Sequence, residues 1–374
     1  MIKFKLIFLK PLIILAVVFI VGLGYFFYHR LNNKSLTENP KSFDVSGANN
    51  NATTLVPDVN LEEYHGPVRH IFFHSLIIYP EKAMADTKNL PGYKDYMITV
   101  EQFKQVIQQL YDNNFILINA SSTYSFDQNG HIKQNKLYLP KGKKPLILSI
   151  DDLSYYSYMK NGGFADKLVL ADGVVKTEVL TPEGRKIVTD DGDVIPILDS
   201  FIKTHPDFSL DSAKGIIGLT GFEGILGYRT NWPGERGDSE RRQAIAVVEA
   251  LKKDGWIFAS HSFSHDQVFL YKTITPDFLA KDLARWSREV EPLVGPTNIF
   301  IGPFGQLFSD RDPRRQQIID AGFNILYGVG LDGYTKFSDY YLVMDRINID
   351  GYRLTHNAQK LYQLFGLSVR PVNW

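Results

Sequence analysis

The 374-residue sequence has no cysteine. Disulfide frameworks, cysteine zinc sites and thiol nucleophiles are therefore excluded, and any metal must be held by His, Asp or Glu. An excess of charge of either sign is also missing, because 41 basic residues balance 41 acidic ones. Nucleic-acid binders usually carry a basic surplus, so no nucleic-acid partner is expected. No internal repeat stands out. The glycine clusters at Gly218, Gly221, Gly224 and Gly227 lack the lysine of a phosphate loop and the spacing of a dinucleotide loop, so they are read as turns. Hydrophobic residues make up 44% of the chain and charged ones 22%, which is the balance of a folded protein and not of a disordered one.

The longest apolar run covers residues 11–28 and follows Lys3, Lys5 and Lys10. At about 1.5 Å per residue such a run reaches roughly 27 Å, close to the hydrocarbon thickness of a bilayer. Lysines before the run favour a cytoplasmic N-terminus. No small-x-small cleavage site follows, so an uncleaved anchor is expected over a removed signal peptide. Three segments result. Residues 1–30 form a cytoplasmic start and single-pass transmembrane anchor, and residues 31–60, rich in Asn, Ser and Thr, form a flexible tether. Residues 61–374 form a folded, extracellular domain at the cell membrane.

The folded region alternates strand and helix patterns. Strand candidates fall at residues 69–79, 115–119, 145–150, 215–219, 256–259, 298–301, 325–329 and 341–349. Helices are expected from Thr99, with Val100, Phe103, Val106, Ile107 and Leu110 on one face, and then at 194–203, 239–254, 276–290, 313–321 and 355–365. Thr99 with Gln102 three residues on is a capping box. Repeated β-α units imply parallel strands covered by helices. So many units in one domain favour a closed or nearly closed barrel, with a doubly wound open sheet as the alternative. Residues 153–193 break the alternation and read as an insertion at the catalytic face, with a hairpin of strands near 167–170 and 174–177.

Active sites of α/β barrels sit at the strand ends. Here one strand runs into Asp151-Asp152, another into His261 and His265, and a third into Gly302-Pro303-Phe304-Gly305. Histidines four apart lie on one side of a helical turn and can reach one ion. A carboxylate would complete a His₂Asp set with an open position for water, and a second carboxylate beside it could act as general base.

The segments SIDDLSYY, ASHSFSH and FIGPFG resemble the first three motifs of polysaccharide deacetylases with the NodB homology fold. RHIFFHSLI resembles the opening strand of many members, and the resemblance extends over about residues 68–351. It implies a distorted (β/α)7 barrel that removes acetyl groups from N-acetylated sugars with one divalent metal ion, zinc being the first expectation. On the matching positions, Asp152, His261 and His265 would be the metal ligands and Asp151 the base toward the attacking water. A backbone N–H at the Pro303-Phe304 turn would help hold the oxyanion.

Three departures matter. Leu153 stands where the family commonly has glycine. The third motif lacks the arginine that orients the base, and Arg346 on the last strand could substitute. The last strand also lacks the histidine that serves as general acid, leaving His74 on the first strand and His356, in Leu354-Thr355-His356, as candidates. Trp286 could line an acetyl pocket or belong to the core, and Tyr155, Tyr156 and Tyr158 could stack on sugar rings or pack beneath the insertion. Asp127-Gln-Asn-Gly130 is read as a tight turn, because the later ligands of a calcium loop are missing.

The reading expects a hydrolase acting on an extracellular or cell-wall polysaccharide that contains N-acetylglucosamine. A barrel that binds glycan without cutting it is the alternative, and a metal-dependent enzyme acting on another bond, such as an ester, is a third.

Overall fold

The computed structural model describes residues 60–372. The expected membrane span and nearly all of the tether lie outside them. Among the described residues no helix is long and apolar enough to cross a membrane.

Seven parallel strands close into a barrel: Arg69–Phe73 (β1), Lys144–Asp151 (β2), Ile216–Leu219 (β3), Ile257–Ser260 (β4), Ile299–Ile301 (β5), Ile325–Val329 (β6) and Leu342–Asn348 (β7). The order around the barrel is β1-β2-β3-β4-β5-β6-β7, and β7 returns to β1. Its closure is uneven. The lower half of β2 pairs with a short strand, Phe115–Leu117, and only its upper half pairs with β3. β4 and β5 meet at a single pair, Ser260 and Phe300. The expected barrel is therefore present and distorted, and the open sheet is excluded.

The helices covering it are Val100–Asp112 (α1), Val194–Thr204 (α2), Gly234–Lys253 (α3), Pro276–Glu289 (α4) and Pro313–Asp320 (α5). The capping box of α1 forms as expected, the Gln102 amide donating to Thr99 Oγ1 at 3.2 Å and the Thr99 amide to Gln102 Oε1 at 2.9 Å. Phe103, Val106, Ile107 and Leu110 are buried on one face, and each such side chain contributes about 1.5–3 kcal/mol relative to exposure. The helix expected at 355–365 is instead two short ones, Gly351–His356 and Ala358–Phe365.

Strand alternation decides what the barrel encloses. On β2, Leu146, Leu148 and Ile150 join the core beneath the helices, while Ile147 joins the barrel interior. On β7, Val343 and Ile347 face the helices, while Leu342 and Met344 face inward. A period of two then places Ser149 and Asp151, and likewise Arg346, on the inner side. The interior is apolar at the bottom, with Ile147, Ile216, Ile299 and Leu342, and becomes polar toward the C-terminal mouth.

Two excursions depart from the expected pattern. The run 69–79 is a strand only to Phe73, and Pro80 then opens a helix, Pro80–Ala85, followed by a second, Leu90–Tyr96. The insertion is a three-stranded sheet of Ala165–Ala171, Val174–Leu180 and Lys186–Thr189, one strand more than expected. Asp193 clamps its end to the barrel by accepting from the Leu76 amide at 3.1 Å and the Tyr155 hydroxyl at 2.7 Å. The Asp127 turn is a turn, its Oδ1 accepting from the Asn129 and His131 amides.

Candidate metal centre

At the mouth of the barrel, Asp152, His261 and His265 bring ligand atoms within 4.8 Å of one another. Asp152 Oδ2 lies 3.5 Å from His265 Nε2 and 3.8 Å from His261 Nε2. His261 is tied through Nδ1 to the Ile301 carbonyl at 2.9 Å, which leaves its Nε2 for an ion. Asp152 takes the Tyr156 hydroxyl on Oδ1 at 2.6 Å, which leaves Oδ2 facing the histidines. Burial pushes the imidazole of His265 below its ordinary value, which favours the neutral ring that metal ligation needs.

The histidines do not converge as expected. No helical turn carries them. Ser262 and His265 both adopt left-handed backbone, with φ of 59° and 47°. Asp282 on α4 holds the loop in this shape by accepting from the Phe263 amide at 2.7 Å, the Ser264 amide at 3.0 Å and the Ser264 hydroxyl at 2.5 Å. Asp152 is itself left-handed, with φ of 58°. Non-glycine residues in this region are strained by about 1–3 kcal/mol each and cluster at functional sites.

Asp151 points into the barrel and is buried. Arg346 meets it with a two-pronged ion pair, Nη1 to Oδ1 at 2.7 Å and Nη2 to Oδ2 at 2.8 Å. Burial alone would raise this carboxyl, but the guanidinium outweighs it and holds the group well below the usual carboxylate range. Arg346 is fully buried, lies over the Phe72 ring at 4.2 Å and also donates to Ser149 Oγ at 3.0 Å. Ser149 in turn contacts His70 Nε2 at 3.1 Å, one layer down. Asp151 Oδ2 is 3.9 Å from His261 Nε2, so base candidate and ligand set share one space.

That space is a cleft of about 450 Å³ lined in part by His74, Phe222 and Phe304. His74 Nδ1 bonds the Tyr96 carbonyl at 3.0 Å. The Phe304 ring packs 4.3 Å from that of His265, in a turn where Gly305 is left-handed and a Cβ would meet Val329 at 2.5 Å. His356 is elsewhere. It is exposed at the end of its helix, stacked on Tyr352 and bonded to the Tyr352 carbonyl. Trp286 is wholly buried, its Nε1 donating to the Leu219 carbonyl at 2.8 Å, and belongs to the core.

Sequence reasoning missed Asp282, Ser149, His70, Asn348 and Asp350. Asp282 lies on the buried face of α4 with Leu279, Leu283 and Trp286, so a carboxylate within an apolar stripe was the available signal. Asp350 caps the helix after β7, accepting from the Arg353 amide at 2.8 Å, and with Asn348 lines the cleft near His74. Arg346, expected as the substitute for the missing motif arginine, does meet the base candidate, since it shares the inner face of β7 with Leu342 and Met344 and a buried arginine needs a carboxylate.

No family profile and no curated protein matches the sequence. Solved structures do, two of them described as deacetylases. One, titled as a polysaccharide deacetylase from Mycobacterium smegmatis, aligns at 13% identity and a TM-score of 0.28 over 41% of this chain and 44% of that one. The other is the deacetylase domain of BpsB from Bordetella bronchiseptica, at 13% identity and a TM-score of 0.31 over 56% of this chain and 73% of that one. The chain spans less than half of the first, and both likenesses are too slight to bear on chemistry. What this chain is similar to, in both cases, is a deacetylase by name.

Proposed function

We propose that this protein is a metal-dependent hydrolase that removes N-acetyl groups from an extracellular polysaccharide containing N-acetylglucosamine. The observation that carries the reading is the meeting, at one barrel mouth, of a His₂Asp set with a buried, arginine-locked carboxylate. Asp152, His261 and His265 fit a divalent ion, because each turns one free donor atom toward the others while its remaining polar atom or backbone is held by a neighbour. The donor set suits zinc. When bound, such an ion supplies Lewis acidity toward an amide carbonyl and acidifies water.

The chain's own groups supply the proton transfers. Asp151 stays ionised through Arg346 and accepts a proton from the attacking water on an oxygen lone pair that the guanidinium leaves free. The backbone N–H at the Pro303-Phe304 turn is the donor assigned to the developing oxyanion. His74, fixed by the Tyr96 carbonyl, delivers the proton that the departing sugar amine needs. Acetate and a free amine on the sugar result.

His74→Gln is expected to lower kcat by about 10²–10⁴-fold, whereas His356→Gln, on the exposed helix end, leaves it within about twofold. The opposite ranking would remove His74 from this role. For the function itself, the test is acetate release from N-acetylglucosamine oligosaccharides by the zinc-loaded full chain, lost on chelation and restored by zinc. Binding of the oligosaccharide without acetate release would favour the non-cutting barrel.

A further inference from the structure

We infer that the cleft holds a second sugar subsite, built by the Leu90–Tyr96 helix and Tyr158, that grips the residue next to the one being deacetylated. The inference rests on the hydrolase reading for the identity of the sugar, but it is carried by separate residues.

A cavity of about 290 Å³ opens beside the main cleft and shares Tyr96, Met97 and Tyr158 with it. Lys88, Asn89, Gly92 and Tyr93 complete it. A file of near-parallel aromatic rings runs from one to the other. Phe222 stacks on Tyr156 at 4.9 Å and 20°, Tyr156 on Tyr158 at 5.8 Å and 19°, and Tyr158 on Tyr93 at 6.5 Å and 19°. The file starts at the ligand set, where the Tyr156 hydroxyl holds Asp152, and ends inside the second cavity.

Pyranose rings have flat C–H faces and a hydroxyl rim, so they pair with aromatic faces whose edges carry polar groups. Tyr158 and Tyr96 remain 46% and 58% exposed at the shared rim, where a sugar can reach them. The walls are braced in advance. The Tyr93 hydroxyl donates to Asp86 Oδ2 at 2.9 Å and lies 3.2 Å from the Tyr158 carbonyl, and Asn89 Nδ2 donates to the same Asp86 oxygen at 2.8 Å. A preorganised site loses little entropy on binding. The same helix ends at Tyr96, whose carbonyl holds His74. A neighbouring sugar seated there lies against the element that positions the proton donor, so the preferred substrate is a linked chain and not a single sugar.

Gly92 gives a clean test. It faces the second cavity, its φ lies outside the left-handed region, and an added Cβ meets nothing within 4 Å. Gly92→Trp fills the cavity, and Gly92→Ala controls for the change in backbone. The readout is kcat/KM for acetate release from N-acetylglucosamine monomer and tetramer, in β-1,4- and β-1,6-linked series, on the zinc-loaded full chain. The tetramer is expected to exceed the monomer at least tenfold in wild type and Gly92→Ala, and by no more than about twofold in Gly92→Trp. A ratio near one in wild type with measurable monomer turnover overturns the subsite and leaves the hydrolase reading intact. So does an undiminished ratio in a Gly92→Trp variant that melts like wild type. Dissociation constants from calorimetry read the same ratio without turnover. Tighter tetramer binding that Gly92→Trp abolishes, with no acetate from any substrate, supports the subsite and overturns the hydrolase. Equal binding of monomer and tetramer with no acetate overturns both.

Discussion

Replacing Asp151 by asparagine is expected to lower kcat by about 10²–10⁴-fold, the usual contribution of a positioned general base. The amide keeps the size of the side chain but cannot take a proton from water. It also leaves Arg346 buried without a countercharge, so a loss of activity could arise from a loss of fold. The double variant Asp151→Asn/Arg346→Met separates the two. Removing both charges relieves the unpaired arginine and is expected to recover stability, while activity stays low, because groups that act as one unit are strongly non-additive. An Asp151→Asn enzyme within a few-fold of wild type would remove Asp151 from the base role and make the ion pair purely architectural.

The second large effect is on stability. Arg346→Met leaves the Asp151 carboxylate in the barrel without its partner, and breaking a buried pair in this way costs about 3–5 kcal/mol. Ser149 and Phe72 lose a partner in the same change. Arg346→Lys is expected to rescue only part of the loss, since an ammonium cannot reproduce the two parallel bonds at 2.7 and 2.8 Å. Urea unfolding of the full chain checks this. A Met variant as stable as wild type would show that the ion pair adds no net stability to the fold.

Much of this was legible before any coordinates. The barrel follows from β-α alternation, because parallel strands buried on both faces read as apolar runs and their helices as one-sided stripes. Asp151, Asp152, His261 and His265 stand where strands end. Arg346 was expected as a substitute for the arginine that orients the base, and the structure pairs it with Asp151, 195 positions away, because β7 closes on β1 with β2 on its far side. What could not be read is what other long-range contacts create. Asp282 reaches back to Phe263 and Ser264 from a neighbouring helix. The four-residue spacing of the histidines suggested a helical turn, but the left-handed backbone at Ser262 and His265, held by that aspartate, brings the rings together instead. Letter matching pointed to His356 and the end of the first strand to His74, and of the two only His74 lines the cleft. The helical excursion before Tyr96 was hidden because the apolar run at residues 69–79 continues past the point where β1 stops.

The central claim is that Asp152, His261 and His265 hold an ion that this chain uses to cut an acetamide. Acetate release from an N-acetylglucosamine tetramer, followed beside bound-metal content in the full chain and in His261→Ala/His265→Ala, tests it most directly. The account predicts close to one divalent ion per wild-type chain and metal-dependent acetate release, with both lost in a variant that remains folded. A wild-type chain that takes up no zinc at neutral pH, or a folded variant that still releases acetate at the wild-type rate, would contradict it.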